Sequence, residues 1–302
     1  MVDLKIDLPE NFFEGETIDG YYVSPEMKKI WAVEMDLLKE FVDVCKQYNL
    51  KYYISGGTLL GAVRHKGYIP WDNDIDVMMP RPDFNKLLEI GGEVFKEPHF
   101  FQTPTTEESR FFTTFIKIRN NNTTGASKED FDKGINCGIF IDVFCLEELP
   151  NNKYVRALFY KVLNEISKMK RFCFEGVKDK RLSGKIKHGL QKAIYKYILH
   201  SPDAAKLFRI YEKYAGRYSG KNKKEVGVLD FGYLPFLIWD KNLFNKSIVL
   251  DFANMKLDAP EEFDAVLRKQ YGDYWKIPDD KSTHDYYDFN ADIPYSTYFK
   301  NR

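Results

Sequence analysis

Apolar residues recur at helical spacing early in the chain, at Met27, Ile30, Trp31, Leu37, Leu38, Phe41, Val44, Cys45 and Tyr48. That period predicts an amphipathic helix ending near Asn49, with Ser24 as its N-cap and Pro25 as its first residue. At Lys51 the pattern changes to an apolar strand, Lys51-Tyr52-Tyr53-Ile54, then a Gly56-Gly57-Thr58 turn and a short helix over 58–64. Asp72, Asp74 and Asp76 next alternate with Asn73, Ile75 and Val77, so on a strand the three acids share one face. A helix is predicted over 83–95, a strand over 111–119 and a second strand over 138–144 with Asp142 in its middle. Beyond Asn151 the pattern turns helical. Val155, Leu158, Phe159, Val162, Ile166 and Met169 form a stripe, and basic helices are expected over 185–199 and 204–218.

These elements predict an α/β fold, a mixed sheet flanked by helices, with a mainly helical and basic second half. The expected division is 1–150, a core with its N-terminal helix, and 151–302, a helical basic region whose C-terminal segment packs back on the core. A chain of 302 residues, 44% hydrophobic and 30% charged, buries enough surface for such a core. No apolar run approaches the ~18 residues of a membrane span, and the start, MVDLKIDLPE, is acidic where a signal peptide is basic. Cys45, Cys137, Cys145 and Cys173 form no Cys-x-x-Cys pair, which points to reduced thiols and a cytoplasmic location. The zero net charge hides an asymmetry: residues 151–224 carry 20 Lys and Arg against 5 Asp and Glu, a net of +15, leaving −15 for the rest. That basic middle is either a solvated helical face or a surface for an anionic partner.

The chemistry concentrates between Lys51 and Pro80. Three acids on one face repel unless a cation sits among them, and Mg²⁺ is held by one or two carboxylates together with substrate phosphates. The Gly56-Gly57 turn opening a helix offers free N–H groups to those phosphates. Arg64 has the planar fork that suits a phosphate, whereas His65, weighed as a general acid, is read as a hydrogen-bonded surface histidine. Trp71 is read as packing. Asp142 stands in an apolar strand, where an acid is costly without a function. Asp130-Phe131-Asp132 also spells Asp-x-Asp, but in a polar loop without a preceding Gly-Gly unit, and is set aside.

The wording GGTLLGAVRHKGYIPWDNDIDV resembles the opening motif of the LicD family, a branch of the nucleotidyltransferase superfamily that includes bacterial phosphocholine transferases and the more distant fukutin-related enzymes. The family shows three consecutive acids where this chain has Asp72-Asn73-Asp74. Gly138-Ile139-Phe140-Ile141-Asp142 matches its third carboxylate, and Tyr271-Gly272-Asp273-Tyr274, Ile277-Pro278 and His284 resemble its C-terminal wording. The resemblance implies a nucleotidyltransferase-like fold and transfer of a phospho-alcohol, phosphocholine foremost, from a CDP ester to a hydroxyl of a cell-surface glycan or its lipid-linked precursor, with release of CMP. It implies Mg²⁺ or Mn²⁺ on Asp74, Asp76 and Asp142, the same three as catalytic residues. Gly56, Gly57, Thr58, Arg64, Lys117, Arg119 and His284 are the implied nucleotide and phosphate contacts. Partners would be a CDP-alcohol donor, a glycan acceptor and an anionic membrane touched peripherally at its inner face, with no nucleic acid. Two alternatives stand beside this reading: a nucleotidyltransferase releasing pyrophosphate, and a non-catalytic binding protein retaining the fold.

Overall fold

The computed structural model describes residues 2–107, 111–174, 189, 193, 203–279, 281 and 287–301. A hairpin of β1 (Glu16–Ile18) and β2 (Tyr21–Val23) leads into helix α1 (Pro25–Tyr48). The predicted helix is present with both its ends. Ser24 accepts the Met27 N–H at 3.1 Å, Pro25 takes the first turn, and Asn49 closes the helix in the left-handed conformation at φ 53°.

The first half continues with β3 (Tyr53–Ile54), α2 (Gly56–Arg64), β4 (Asp76–Pro80), α3 (Arg81–Val94), β5 (His99–Gln102), β6 (Ile116–Asn120), β7 (Thr124–Ala126), the short α4 (Lys128–Asp132) and β8 (Ile139–Glu148). The second half supplies α5 (Lys153–Phe174), α6 (Ala204–Ala215), β9 (Glu225–Val228), β10 (Ile238–Asp240), the hairpin β11 (Ser247–Phe252) and β12 (Met255–Pro260), α7 (Phe263–Tyr271), β13 (Asp288–Asn290) and α8 (Tyr295–Tyr298). β8 is the axis of a seven-stranded mixed sheet. β4 runs parallel to one edge of it, with β3 antiparallel beyond. Along the other edge the first part of β8 pairs with β6 and its end with β9, both antiparallel, and β5 and β10 extend these. A strand covered on both faces reads as a continuous apolar run, as 139–146 does except at Asp142. The α/β architecture expected from the sequence is observed, and β9 and β10 bring the second half into the main sheet. None of the described helices is long and apolar enough to cross a membrane.

Three expectations need correction. Residues 111–115 precede the strand, which begins at Ile116. Asp130-Phe131-Asp132 lies in a short helix, because Ser127 accepts the Asp130 N–H and caps it. The buried stripe of α5 is Phe159, Tyr160, Leu163 and Ile166, packed on Leu207, Phe208 and Tyr211 of α6, while Val155 and Leu158 face outward. The basic helix expected over 185–199 falls almost wholly outside the described residues.

α1 also buries acids. The Lys5 and Ile6 N–H groups donate to Asp36 Oδ1 at 2.6 and 2.9 Å, and His99 Nδ1 lies 2.6 Å from Glu40 Oε2. Burial alone disfavours the His99 imidazolium, but Asp36 and Glu40 outweigh it and lift the pKa from 6.5 to about 9. A raised histidine stabilises the fold below its unfolded pKa and loses that contribution as pH climbs toward the folded value. Lys117, pulled from 10.5 to about 8, has the opposite sign at higher pH, so the clean comparison is with a His99→Gln variant. Wild type is expected to lose roughly 2 kcal/mol of its advantage over His99→Gln between about pH 6 and about pH 9.5, read by urea denaturation.

Candidate active site

The site grows from the junction of β3, α2 and β4. The Ser55 N–H donates to the Asp76 carbonyl at 3.0 Å, and the Asp76 N–H donates to Thr58 Oγ1 at 2.8 Å. Thr58 therefore fixes the backbone that carries Asp76. Gly56 has φ +53°, and a Cβ there would stand 2.8 Å from Asp76 Oδ2. At Gly57 a Cβ would collide with Asp72 Oδ2. The glycine pair thus makes room for two carboxylates against the N-terminus of α2, where the helix dipole favours negative charge.

Of the three alternating acids only Asp76 lies on a strand. Residues 72–75 are not strand: the Asp72 N–H turns back to the Ile69 carbonyl at 2.9 Å, and Asp72 Oδ1 accepts the Asn73 N–H at 3.2 Å. Such side-chain-to-backbone bonds compete with a ladder. Trp31 Nε1 pins the Asp72 carbonyl at 2.8 Å, so α1 positions this segment. Asp72, Asp74 and Asp76 nevertheless all line one cleft of about 450 Å³, together with Gly57, Arg64, Trp71 and a C-terminal wall of Tyr271, Asp273, Tyr274, Lys276 and Pro278. Asn73 is buried.

Asp142 stands beside Asp76. The parallel register of β4 and β8 pairs these two residues, and the antiparallel register of β6 and β8 pairs Asp142 with Lys117, so the three side chains form a row across three strands. Lys117 Nζ donates to Asp142 Oδ1 at 2.6 Å, and both residues are buried. Burial, then the Asp74 charge, holds the Asp72 and Asp76 carboxyls well above the ordinary carboxylate range. Asp142 is raised by burial too, but Lys117 opposes the shift.

Arg64 reaches the cleft, where one guanidinium nitrogen donates to the Tyr274 carbonyl at 2.9 Å and ties α2 to the C-terminal wall. His65 Nε2 lies 2.9 Å from Asp19 Oδ2, as a hydrogen-bonded histidine. Lys117 belongs to the carboxylate row. Arg119 is not brought to the cleft: it is buried, with its guanidinium on Gln102 Oε1 at 2.5 Å and on the Gly125 and Gly138 carbonyls at 3.3 and 2.6 Å. His284 lies outside the described residues. Sequence reasoning missed Glu34, which is buried in α1, accepts the Tyr68 hydroxyl at 3.0 Å and is kept protonated to well above the usual pH by burial and by Asp74. Its signal was present, since position 34 lies on the apolar stripe between Trp31 and Leu38.

Among the described residues no group of three or more His, Cys, Asp or Glu side chains is drawn up as a ready metal shell. Hard carboxylate oxygens, with Asp72 and Asp76 raised first by burial and then by their acidic neighbours, still suit Mg²⁺, which needs one or two of them once substrate phosphates complete its octahedron.

A parallel β4–β8 pair carrying neighbouring acids, entered from a Gly-Gly helix turn, defines a protein of the nucleotidyltransferase-like class. The family described as "LicD/FKTN/FKRP, nucleotidyltransferase domain" matches residues 49–133. The Lipopolysaccharide cholinephosphotransferase LicD of Haemophilus influenzae is 27% identical over 267 residues, which cover 85% of this chain and 97% of that protein. The human Ribitol 5-phosphate transferase FKRP is 37% identical over 51 residues, 17% of this chain and 10% of its own length. Mannosyltransferase regulator 4 of Saccharomyces cerevisiae is 24% identical over 134 residues, 43% of this chain and 11% of that one. Residues 49–133 thus match the nucleotidyltransferase domain of the LicD family, and similarity to a LicD protein extends over most of the chain.

Proposed function

We propose that this protein transfers a phospho-alcohol, phosphocholine foremost, from its CDP ester to a glycan hydroxyl, with release of CMP. The observation that carries the reading is the Lys117–Asp142–Asp76 row beside a cleft holding Asp72, Asp74 and Arg64. The near full-length similarity to a cholinephosphotransferase supports the head group. The donor diphosphate lies in the cleft, its oxygens met by Arg64 and by the first-turn N–H groups of α2. Asp74 and Asp76, with Asp142 beside them, would hold Mg²⁺, which when bound neutralises phosphate charge. Lys117 holds Oδ1 of Asp142 and leaves its second oxygen to take the proton of the acceptor hydroxyl. The acceptor oxygen bonds to the phosphorus of the phospho-alcohol as the bond to the CMP oxygen breaks, in line, so the cleft contributes chiefly by orientation.

The test is a thermal-shift panel of CDP-choline, CDP-ethanolamine, CDP-glycerol, CDP-ribitol and CTP, each with and without Mg²⁺. Stabilisation by one CDP ester only with Mg²⁺ is expected. Stabilisation by CTP alone would replace the reading with nucleotidyl transfer, and no response to any of them would favour a binding protein. Because burial and mutual repulsion keep Asp72 and Asp76 protonated above the usual range, ionising them costs stability that a cation returns. The stabilisation by Mg²⁺ is therefore expected to be larger at about pH 8 than at about pH 6.

A further inference from the structure

A second cavity, of about 600 Å³, lies between α5 and the segment after β9, bounded by Lys153, Arg156, Tyr160, Lys161, Asn164 and Tyr233. It is larger than the carboxylate cleft, and none of the described residues that line it is an acid. Tyr160 also borders a smaller neighbour of about 250 Å³ that runs along Asp230 and Phe231. Its hydroxyl is buried without a hydrogen-bond partner among the described residues, and the residue is only 7% exposed. A fold that leaves such a hydroxyl unpaired forgoes a hydrogen bond that a ligand oxygen can restore. Arg156 is engaged by Glu225 and the Pro150 carbonyl, whereas among the described residues Lys153, which rests over the Tyr154 ring, and Lys161 have no carboxylate partner.

The wall leads toward the carboxylate row. The Phe231 ring lies 5.4 Å from that of Phe144, and Phe144 is two residues from Asp142, on the same face of β8. Phe144 in turn meets Phe115, whose ring lies 5.1 Å from Lys117 Nζ. Asp142 thus stands between the cleft of Asp72, Asp74 and Asp76 on one side and this aromatic wall on the other. Tyr233, in the wall of the larger cavity, and Phe231, in that of the smaller one, are each 57% exposed.

We propose that this cavity is the acceptor subsite and takes a phosphorylated saccharide, resting on the transferase reading above. Lys153 and Lys161 meet its phosphate, Tyr233 stacks on a sugar ring, the Tyr160 hydroxyl and Asn164 bond its hydroxyls, and the saccharide extends over the exposed Phe231 ring, which packs on Phe144 of the strand that carries Asp142. A concave site with an unpaired hydroxyl and an amide suits a discrete polar ligand. A membrane surface would ask for a convex apolar face instead.

The experiment measures, by calorimetry, binding of a synthetic oligosaccharide carrying one phosphomonoester, of its dephosphorylated twin and of phosphatidylglycerol vesicles. Wild type, Lys161→Glu and Tyr160→Phe are compared. The phosphorylated form is expected to bind wild type at least about tenfold tighter than its twin and to lose about tenfold in Lys161→Glu. Tyr160→Phe should lose several-fold in affinity with its melting temperature unchanged or higher, because the deleted hydroxyl had no partner. Equal binding by wild type and Lys161→Glu would overturn the assignment, as would vesicle binding without saccharide binding. A CDP-ester arm with Mg²⁺ on wild type separates the two readings. Donor stabilisation without saccharide binding removes this subsite and leaves the transferase. Absence of donor stabilisation removes the transferase, and the acceptor role of the cavity with it.

Discussion

Asp76→Ala is expected to fold as wild type does, to melt at the same or a higher temperature, and to turn over at least about a hundredfold more slowly. The two halves of that outcome come from one cause. Asp76 is raised by burial and by Asp74, Asp142 and Asp72, with Lys117 opposing, so its ionised form strains the fold that holds it. Removing it relieves repulsion among the acids that remain. Its backbone bonds, to Thr58 and Ser55, do not involve the carboxylate and survive the change. The rate loss follows because Asp76 would help hold the cation that neutralises phosphate, and charge stabilisation of that kind is worth about 3 kcal/mol or more in the transition state. Measured together, CMP release from a CDP ester and the melting temperature should move apart. A variant that loses activity and stability in parallel would make Asp76 a structural residue, and an active variant would remove it from the site.

The sequence carried the acids better than their setting. Asp142 was legible because an acid inside an apolar strand has few uses, and its neighbour Asp76 followed from the motif. The row is read off the parallel β4–β8 register. The alternation of Asp72 and Asp74 was legible as a pattern but belongs to no strand, because Asp72 bonds its own neighbour's N–H and Trp31 holds its carbonyl. Gly56 and Gly57 were read as an anion cradle. The structure adds that they clear space for the Asp72 and Asp76 carboxylates, which no local window reveals. Arg119 shows the limit most plainly. A strand arginine beside a lysine suggested phosphate, yet its acceptors come from Gln102, Gly125 and Gly138, on segments that only the folded sheet brings together. In α5 the apolar stripe was displaced by about one position, because Tyr160 and Leu163 face α6 where Val155 and Leu158 were expected to. The outward apolar residues of that helix are the part of the pattern that the core does not use.

Arg81→Met is expected to cost the fold about 3–5 kcal/mol, the largest stability loss foreseen for a single substitution here. Arg81 follows β4 directly and its side chain is 3% exposed. Its Nε donates to Glu147 Oε2 at 3.1 Å and one guanidinium nitrogen to Asn85 Oδ1 at 3.0 Å, while further bonds reach Glu147 and Glu212. Those carboxylates sit at the end of β8 and on α6, so one cation joins the carboxylate-bearing strands to the helical half. Without it two buried acids lose their counter-charge, and Glu212 already keeps one oxygen unpaired. For a chain of this size the loss corresponds to a fall of roughly 10 °C in melting temperature. A triple variant, Arg81→Met with Glu147→Leu and Glu212→Leu, removes the stranded charges along with the cation and should recover most of that fall, since an apolar replacement of a buried charge cluster is often neutral. Equal melting of the single and triple variants would place the cost in lost packing of the arginine stem over Phe84, 5.2 Å from its guanidinium carbon, and not in charge. Because the cluster lies at the far end of β4 from Asp76, the triple variant should also keep its Mg²⁺-dependent response to the CDP ester, which separates holding the two halves together from holding the substrate.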